Sequence, residues 1–138
     1  MKRIEVGLLV IRLVVGITFL LHGLAKFQNG LVNTSIYFES LGLPGILAYV
    51  VSYIELVGGA AMILGVGTQL VSVLFAFVMI GAIFTVKLSA GFMGNSTATG
   101  YEFNLLLLAV SVLLAINGSK LFSIDQLLFR DKEKTIHG

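Results

Sequence analysis

The chain of 138 residues contains no cysteine. A disulfide framework, a thiol redox pair and a thiolate metal site are all excluded at once. Charge is scarce as well. Asp, Glu, Lys and Arg make up 12% of the residues, about half the share of an ordinary soluble domain. With 57% of the residues apolar, a disordered chain is excluded too. Proline occurs once against sixteen glycines, a balance suited to closely packed membrane helices, where small residues let backbones approach. The only histidines are His22, at the outer end of the first apolar run, and His137, one residue from the end and expected on the cytoplasmic side, so they cannot easily form an axial pair on one haem. Met62 and Met79 read as core fillers. No GxGxxG, Walker motif, EF-hand loop or HExxH is present.

Four apolar segments remain, at about 5–27, 46–66, 69–90 and 102–118. Each approaches the roughly 20 residues that carry a helix across about 30 Å of hydrocarbon. No period-2 pattern runs through them, and an open sheet edge cannot be satisfied in lipid. The expected fold is therefore all-α: an integral membrane four-helix bundle, a single domain over 1–138. The start MKRIEVG looks like the charged region of a signal peptide, but the apolar run behind it is too long and lacks a cleavage site. It reads as a retained first span.

Net charge is +2, with the basic residues mostly at the two ends. Lys2 and Arg3 precede the first span, while Arg130, Lys132 and Lys134 follow the last. That distribution orients a multi-pass protein with both termini cytoplasmic, and it offers no compact basic surface for nucleic acid. Two short interfacial helices are expected. Asn33 or Thr34 would cap one that runs through Leu41 and ends at Gly42, before Pro44, lying on the membrane surface or on the bundle. Ser123 with Gln126 forms a capping-box pattern for the other, which would rest Ile124, Leu127, Leu128 and Phe129 at the inner interface.

An intramembrane arginine demands a partner. Arg12, Gly16, Phe19, Gly23 and Lys26 share one face of the first span. The two glycines on that face suggest that it packs against protein. Glu55 lies about nine residues into the second span, which runs the opposite way, so the two charges come to similar depth. The expectation is an Arg12–Glu55 contact, with Ser52 as a neighbour. Such a pair serves either as a structural clamp or as a device that orients a headgroup or tunes a proton carrier.

A second polar group gathers towards the outer face: His22, Lys26, Lys87 and Glu102. Snorkelling lysines and a helix N-terminus suited to Glu102 would explain it structurally. The alternative is a pocket near the membrane surface in which His22 relays protons. Walls of Phe19, Phe84 and Phe92 would suit a flat lipophilic ring. NST at Asn95 also fits the glycosylation pattern.

These motifs together resemble the DoxX family of small four-span membrane proteins, in the branch whose bacterial members are named as oxidoreductases. Arg12 with Gly16 matches the opening RLxxG, and FLLHGLAKF continues it from Phe19 to Phe27. Gly42-Leu43-Pro44, Glu55 with Gly58 and Gly59, and Gly65 match the centre. Gly91-Phe92, Gly100, Glu102, Gly118 and Ser123–Asp125 match the later part. Lys87 stands where many relatives have histidine. The resemblance implies a plasma-membrane role linked to quinones, sulfur compounds or electrophile stress, in some relatives beside a second protein.

The leading expectation is a quinone-linked oxidoreductase or its membrane subunit. Arg12, His22, Lys26 and Glu55 are the candidate catalytic residues; Phe19, Lys87, Phe92 and Glu102 are the candidates for holding the quinone. Electrons would come from a redox partner protein or bound cofactor, since the chain has no thiol of its own. The competing class is a non-catalytic scaffold, assembly factor or binding protein for a lipophilic aromatic compound, with membrane lipid as the constant partner. Transport lacks an inverted repeat or broken span to support it. Glycine-rich faces serve equally within one bundle or between copies, so homo-oligomers stay open.

Overall fold

A computed structural model describes residues 2–96 and 99–128, apart from the side chains of Lys2, Val86, Lys87 and Ser89. The tail with Phe129, Arg130, Lys132, Lys134 and His137 lies outside the described residues. The described residues form five principal α-helices and no strand: α1 (Lys2–Asn29), α2 (Leu31–Ser40), α3 (Ile46–Leu64), α4 (Thr68–Ala82) and α5 (Glu102–Asn117). The fold is an all-α membrane helical bundle. α1, α3 and α4 extended to Thr85 are long and apolar enough to cross a membrane. α5 has 16 residues, about 24 Å of helix, and is shorter than α1, α3 and the extended α4. α4 continues through a π-helical turn, Ile83–Lys87, and a 3-10 turn, Leu88–Ala90.

The rods alternate in direction and form a ring: α1 packs mainly on α3, α3 on α4, α4 on α5, and α5 closes against α1. Ends of the elements follow local rules. Gly42, at φ +84°, closes α2 in a Schellman arrangement, with Leu43 N–H donating to the Phe38 carbonyl at 3.0 Å and Gly42 N–H to Glu39. The start of α2 differs from the expectation. It begins after Gly30, whose φ of +96° breaks the chain out of α1. Asn33 and Thr34 bond back to the Asn29 and Gly30 carbonyls instead of capping. Of the two expected placements, on the membrane surface or on the bundle, α2 takes the second, packing on α3 and α1 with Tyr37 and Phe38 turned inward.

α1 and α3 approach backbone to backbone. A Cβ on Gly59 would lie 2.5 Å from the Leu20 nitrogen, and one on Gly23 would lie 2.5 Å from the Leu56 nitrogen. Neither obstacle is a side chain that can rotate away. Gly59→Ala should therefore lower stability by about 1–3 kcal/mol, read as a lower unfolding temperature in detergent. Gly7→Ala, which meets nothing within 4 Å, should leave it unchanged.

The core is layered. Phe19 stacks on Phe75 with ring centroids 3.8 Å apart and planes 11° from parallel, tying α1 to α4 through the centre. Met62 and Leu114 are fully buried and belong to the same cluster. At the end of the bundle holding the N-terminus, the segment after α5 folds back across the rods. Asp125 accepts hydrogen bonds from Gly67 N–H at 2.9 Å and Thr68 N–H at 3.2 Å, capping α4. Gln69 caps the other way, donating to the Ala115 and Ile116 carbonyls of α5. Ser123 accepts from Gln126 N–H at 3.1 Å, and residues 124–128 are helical. Half of the expected capping box is thus present.

Candidate functional site

Arg12 is 1% exposed and does not meet Glu55. Its Nη1 donates to the Ser119 carbonyl at 3.0 Å and the Leu121 carbonyl at 2.9 Å, and its Nη2 to the Phe122 carbonyl at 3.0 Å. Phe122 takes a left-handed backbone, φ +50°, as the loop turns its carbonyls inward. A planar guanidinium with a fork of N–H groups suits several carbonyls at once. The expected pair fails on depth. α1 has 28 residues, about 42 Å, so depths counted from opposite ends of a 30 Å slab do not share one scale. Gly23 sits against Glu55 and Leu56, eleven residues or about 16 Å beyond Arg12.

Glu55 pairs with Lys26 instead. Lys26 Nζ donates to Glu55 Oε2 at 2.6 Å, with the lysine side chain 26% exposed and the carboxylate 4%. The match arises because α1 and α3 are antiparallel and in close register here, which aims a long amine at a buried carboxylate. Ser52, expected beside Glu55, is spent on the Ala48 carbonyl at 2.6 Å.

Above the Phe19–Phe75 stack the helices line a partly open cavity of about 770 Å³, within the usual range for a small-molecule site. Phe19 forms part of its wall, and Lys26, Glu55 and His22 line it. Tyr37 and Phe38 of α2, Phe77 of α4 and Phe103 of α5 supply aromatic surface. The His22 and Phe103 ring centroids are 6.4 Å apart. The π-helical turn continues α4 beside this space, and such turns are frequent at functional sites. Gly81, Ala82 and Thr85 line the cavity there, and Thr85 returns its hydroxyl to the Gly81 carbonyl at 2.6 Å.

The cavity thus gathers Phe19, His22, Lys26 and Glu55 from the sequence-predicted set. It leaves Arg12 at the other end of the bundle. Phe92, 47% exposed, packs edge-on against Tyr101 outside the lining, and Phe84 is 68% exposed. Glu102 is exposed at the start of α5 and does not line the cavity. The Lys87 side chain lies outside the described set. Sequence reasoning missed Asn104, which lines the cavity and donates to Met79 Sδ at 3.7 Å. Its signal was an amide within the apolar run FNLLLL. It also missed Met79 as a lining residue and α2 as a wall.

The comparisons agree with one another. The DoxX family profile matches residues 7–88. A Bacillus subtilis (strain 168) protein named "Putative oxidoreductase CatD" is 47% identical over 132 residues, covering 96% of this chain and 94% of that one. "Inner membrane protein YqjF" of Escherichia coli (strain K12) is 32% identical over 130 residues, covering 93% and 97%. No solved structure matches the chain. With the profile spanning more than half of its length and two relatives aligned almost end to end, the chain belongs to the DoxX family.

Proposed function

We propose that this multi-pass protein sits in the plasma membrane with both termini cytoplasmic and binds a quinone as the membrane subunit of an oxidoreductase. The observation that carries this reading is the cavity, where His22 and the Lys26–Glu55 pair stand among aromatic walls. Its size and apolar lining fit a planar lipophilic ring, and its paired charges leave it close to neutral, suited to carbonyl oxygens more than to an anion. Reduction of a quinone to its quinol takes up two electrons and two protons. The electrons come from a redox partner protein carrying a flavin or iron centre, because this chain has no cysteine to supply a thiol. Protons pass at the cavity, where the His22 imidazole offers one ring nitrogen as donor and the other as acceptor. The word oxidoreductase in the name of one relative supports the same class. Removal of reactive quinones under electrophile stress is a role such a subunit would fill.

Below the cavity, Phe19, Phe75, Met62 and Leu114 belong to one buried apolar cluster, which favours binding at one end over transport. A binding protein without redox turnover would use the same space, and the missing thiol favours it; an electron-donor assay separates the two. Equilibrium binding of a decyl-substituted 1,4-benzoquinone to the purified chain in nanodiscs, corrected for empty discs, tests the reading. Saturable binding is expected. Gly81→Leu should weaken it, since Gly81 lines the cavity and an added Cβ there meets no protein atom within 4 Å. Glu55→Gln should weaken it about tenfold, the value of one charge-assisted hydrogen bond. A folded wild type that binds no quinone saturably overturns the proposal.

A further inference from the structure

An amide inside an apolar helix must be satisfied by something. Asn104 lies two residues into α5 and is half-buried. Its hydrogen bond among the described residues runs to Met79 Sδ at 3.7 Å, and thioether sulfur is a weak acceptor. The amide oxygen and the second N–H are left for whatever occupies the cavity that Asn104 lines.

Three separate contacts place this amide across from the Lys26–Glu55 pair. Phe19 on Phe75 sets α1 and α4, which run the same way, on a common depth scale. Four residues further along α4, Met79 meets Asn104 of α5. Four residues further along α1, Gly23 lies against Glu55 of α3. Asn104, Met79, Gly23 and Glu55 therefore share one level, about 6 Å beyond the phenylalanine stack. α3 and α5 are not neighbours in the ring: α1 stands between them on one side and α4 on the other. The two polar groups reach into the cavity from opposite walls.

We propose that Asn104 is the second polar pole of the site, contacting one ring oxygen while Lys26 and Glu55 engage another on the opposite edge, so that the cavity selects rings with two oxygens in a 1,4 relation. The assignment rests on the quinone reading and narrows it. An amide suits both oxidation states, because Nδ2–H donates to a carbonyl and Oδ1 accepts from a hydroxyl. The Met79 sulfur holds the side chain in place without competing strongly for its donor. A lipid acyl chain in the same space would leave both poles unanswered.

The test compares two probes on the full chain in nanodiscs: a decyl-substituted 1,4-benzoquinone and a decylphenol, which carries a single ring oxygen. Asn104→Leu keeps the side-chain shape and removes both polar atoms; Asn104→Ala removes them without filling the cavity. Each variant should raise the quinone Kd about tenfold and leave the phenol Kd unchanged. Equal weakening of both probes, or quinone binding indifferent to both variants while Glu55→Gln still weakens it, overturns the role of Asn104 alone. Equal wild-type affinity for the two probes, with added lipid displacing both, assigns the cavity to an acyl chain and overturns it as well. No saturable binding of either probe overturns the quinone reading and this assignment together.

Discussion

Arg12→Leu should release the segment after α5 from the bundle. Three backbone carbonyls, those of Ser119, Leu121 and Phe122, converge on this guanidinium, with the Ser119 hydroxyl 3.4 Å away. Leucine removes every donor and leaves acceptors that a folded loop would have to keep out of water. Breaking one side of such a buried charged network costs about 3–5 kcal/mol, a large part of the stability of a chain this size. The loss should also be directional. The Gly65 and Val66 N–H bonds to α3 and the Phe19–Phe75 stack do not depend on Arg12, so α1, α3 and α4 should stay associated while residues 119–128 open. Trypsin would report this as faster cleavage after Lys120, together with a lowered unfolding temperature. Arg12→Lys should recover little, since an ammonium is a compact donor and cannot span the three carbonyls as a planar fork does. Unchanged proteolysis at Lys120 in a folded Arg12→Leu protein would show that the loop holds itself in place.

The fold is largely legible in the sequence because a membrane leaves few solutions. Length and hydropathy define four rods, and glycines with positive φ mark where α2 and α3 stop, at Gly42 and Gly65. Depth is not legible. Hydropathy locates a span to within a turn or two, and the side chains of arginine, lysine and glutamate are selective over shorter distances than that. Glu55 is the only carboxylate in the span next to Arg12, but the true partners of the guanidinium are backbone carbonyls. A carbonyl belongs to every residue and therefore leaves no mark in the sequence. The one hint is the shortness of the last apolar run, which ends at Gly118 and leaves Ser119–Ser123 needing polar company inside the bundle.

Half of the site is legible in the same way. Its first-helix members lie on one face, and their shared periodicity groups Phe19 with Lys26 from the sequence alone, with His22 one turn from both. What periodicity cannot supply is the neighbour across the bundle. Depth alone puts Phe84 and Phe92 in the wall. The register of α4 instead turns Phe77 and Gly81 towards the cavity, and the π-helical turn lies between them and Phe92. Asn104 is overshadowed in the sequence by the more conspicuous Glu102, although the charged residue stays at the exposed helix start and the amide goes inside.

Lys26→Met should prove more damaging than Glu55→Gln, although the two remove the same ion pair. The difference follows from burial. With Glu55 neutralised, Lys26 keeps a partly exposed side chain, 26%, and can carry its ammonium towards water while its stem stays in place. With Lys26 gone, the Glu55 carboxylate is 4% exposed and has no counter-charge; an uncompensated buried charge of this kind costs about 3–5 kcal/mol. Glu55→Gln should cost about 1 kcal/mol, the net worth of a hydrogen bond. The double variant Lys26→Met, Glu55→Gln should then recover most of what Lys26→Met loses, and unfolding measurements on all four proteins give the coupling directly. Simple additivity would mean that the pair, despite its 2.6 Å contact, is not energetically joined. The double variant has a further use. It keeps a folded, uncharged cavity, so its quinone affinity separates the two roles open to this pair. Binding that persists in it makes Lys26 and Glu55 a clamp between α1 and α3, and binding lost without loss of the fold makes them part of the site.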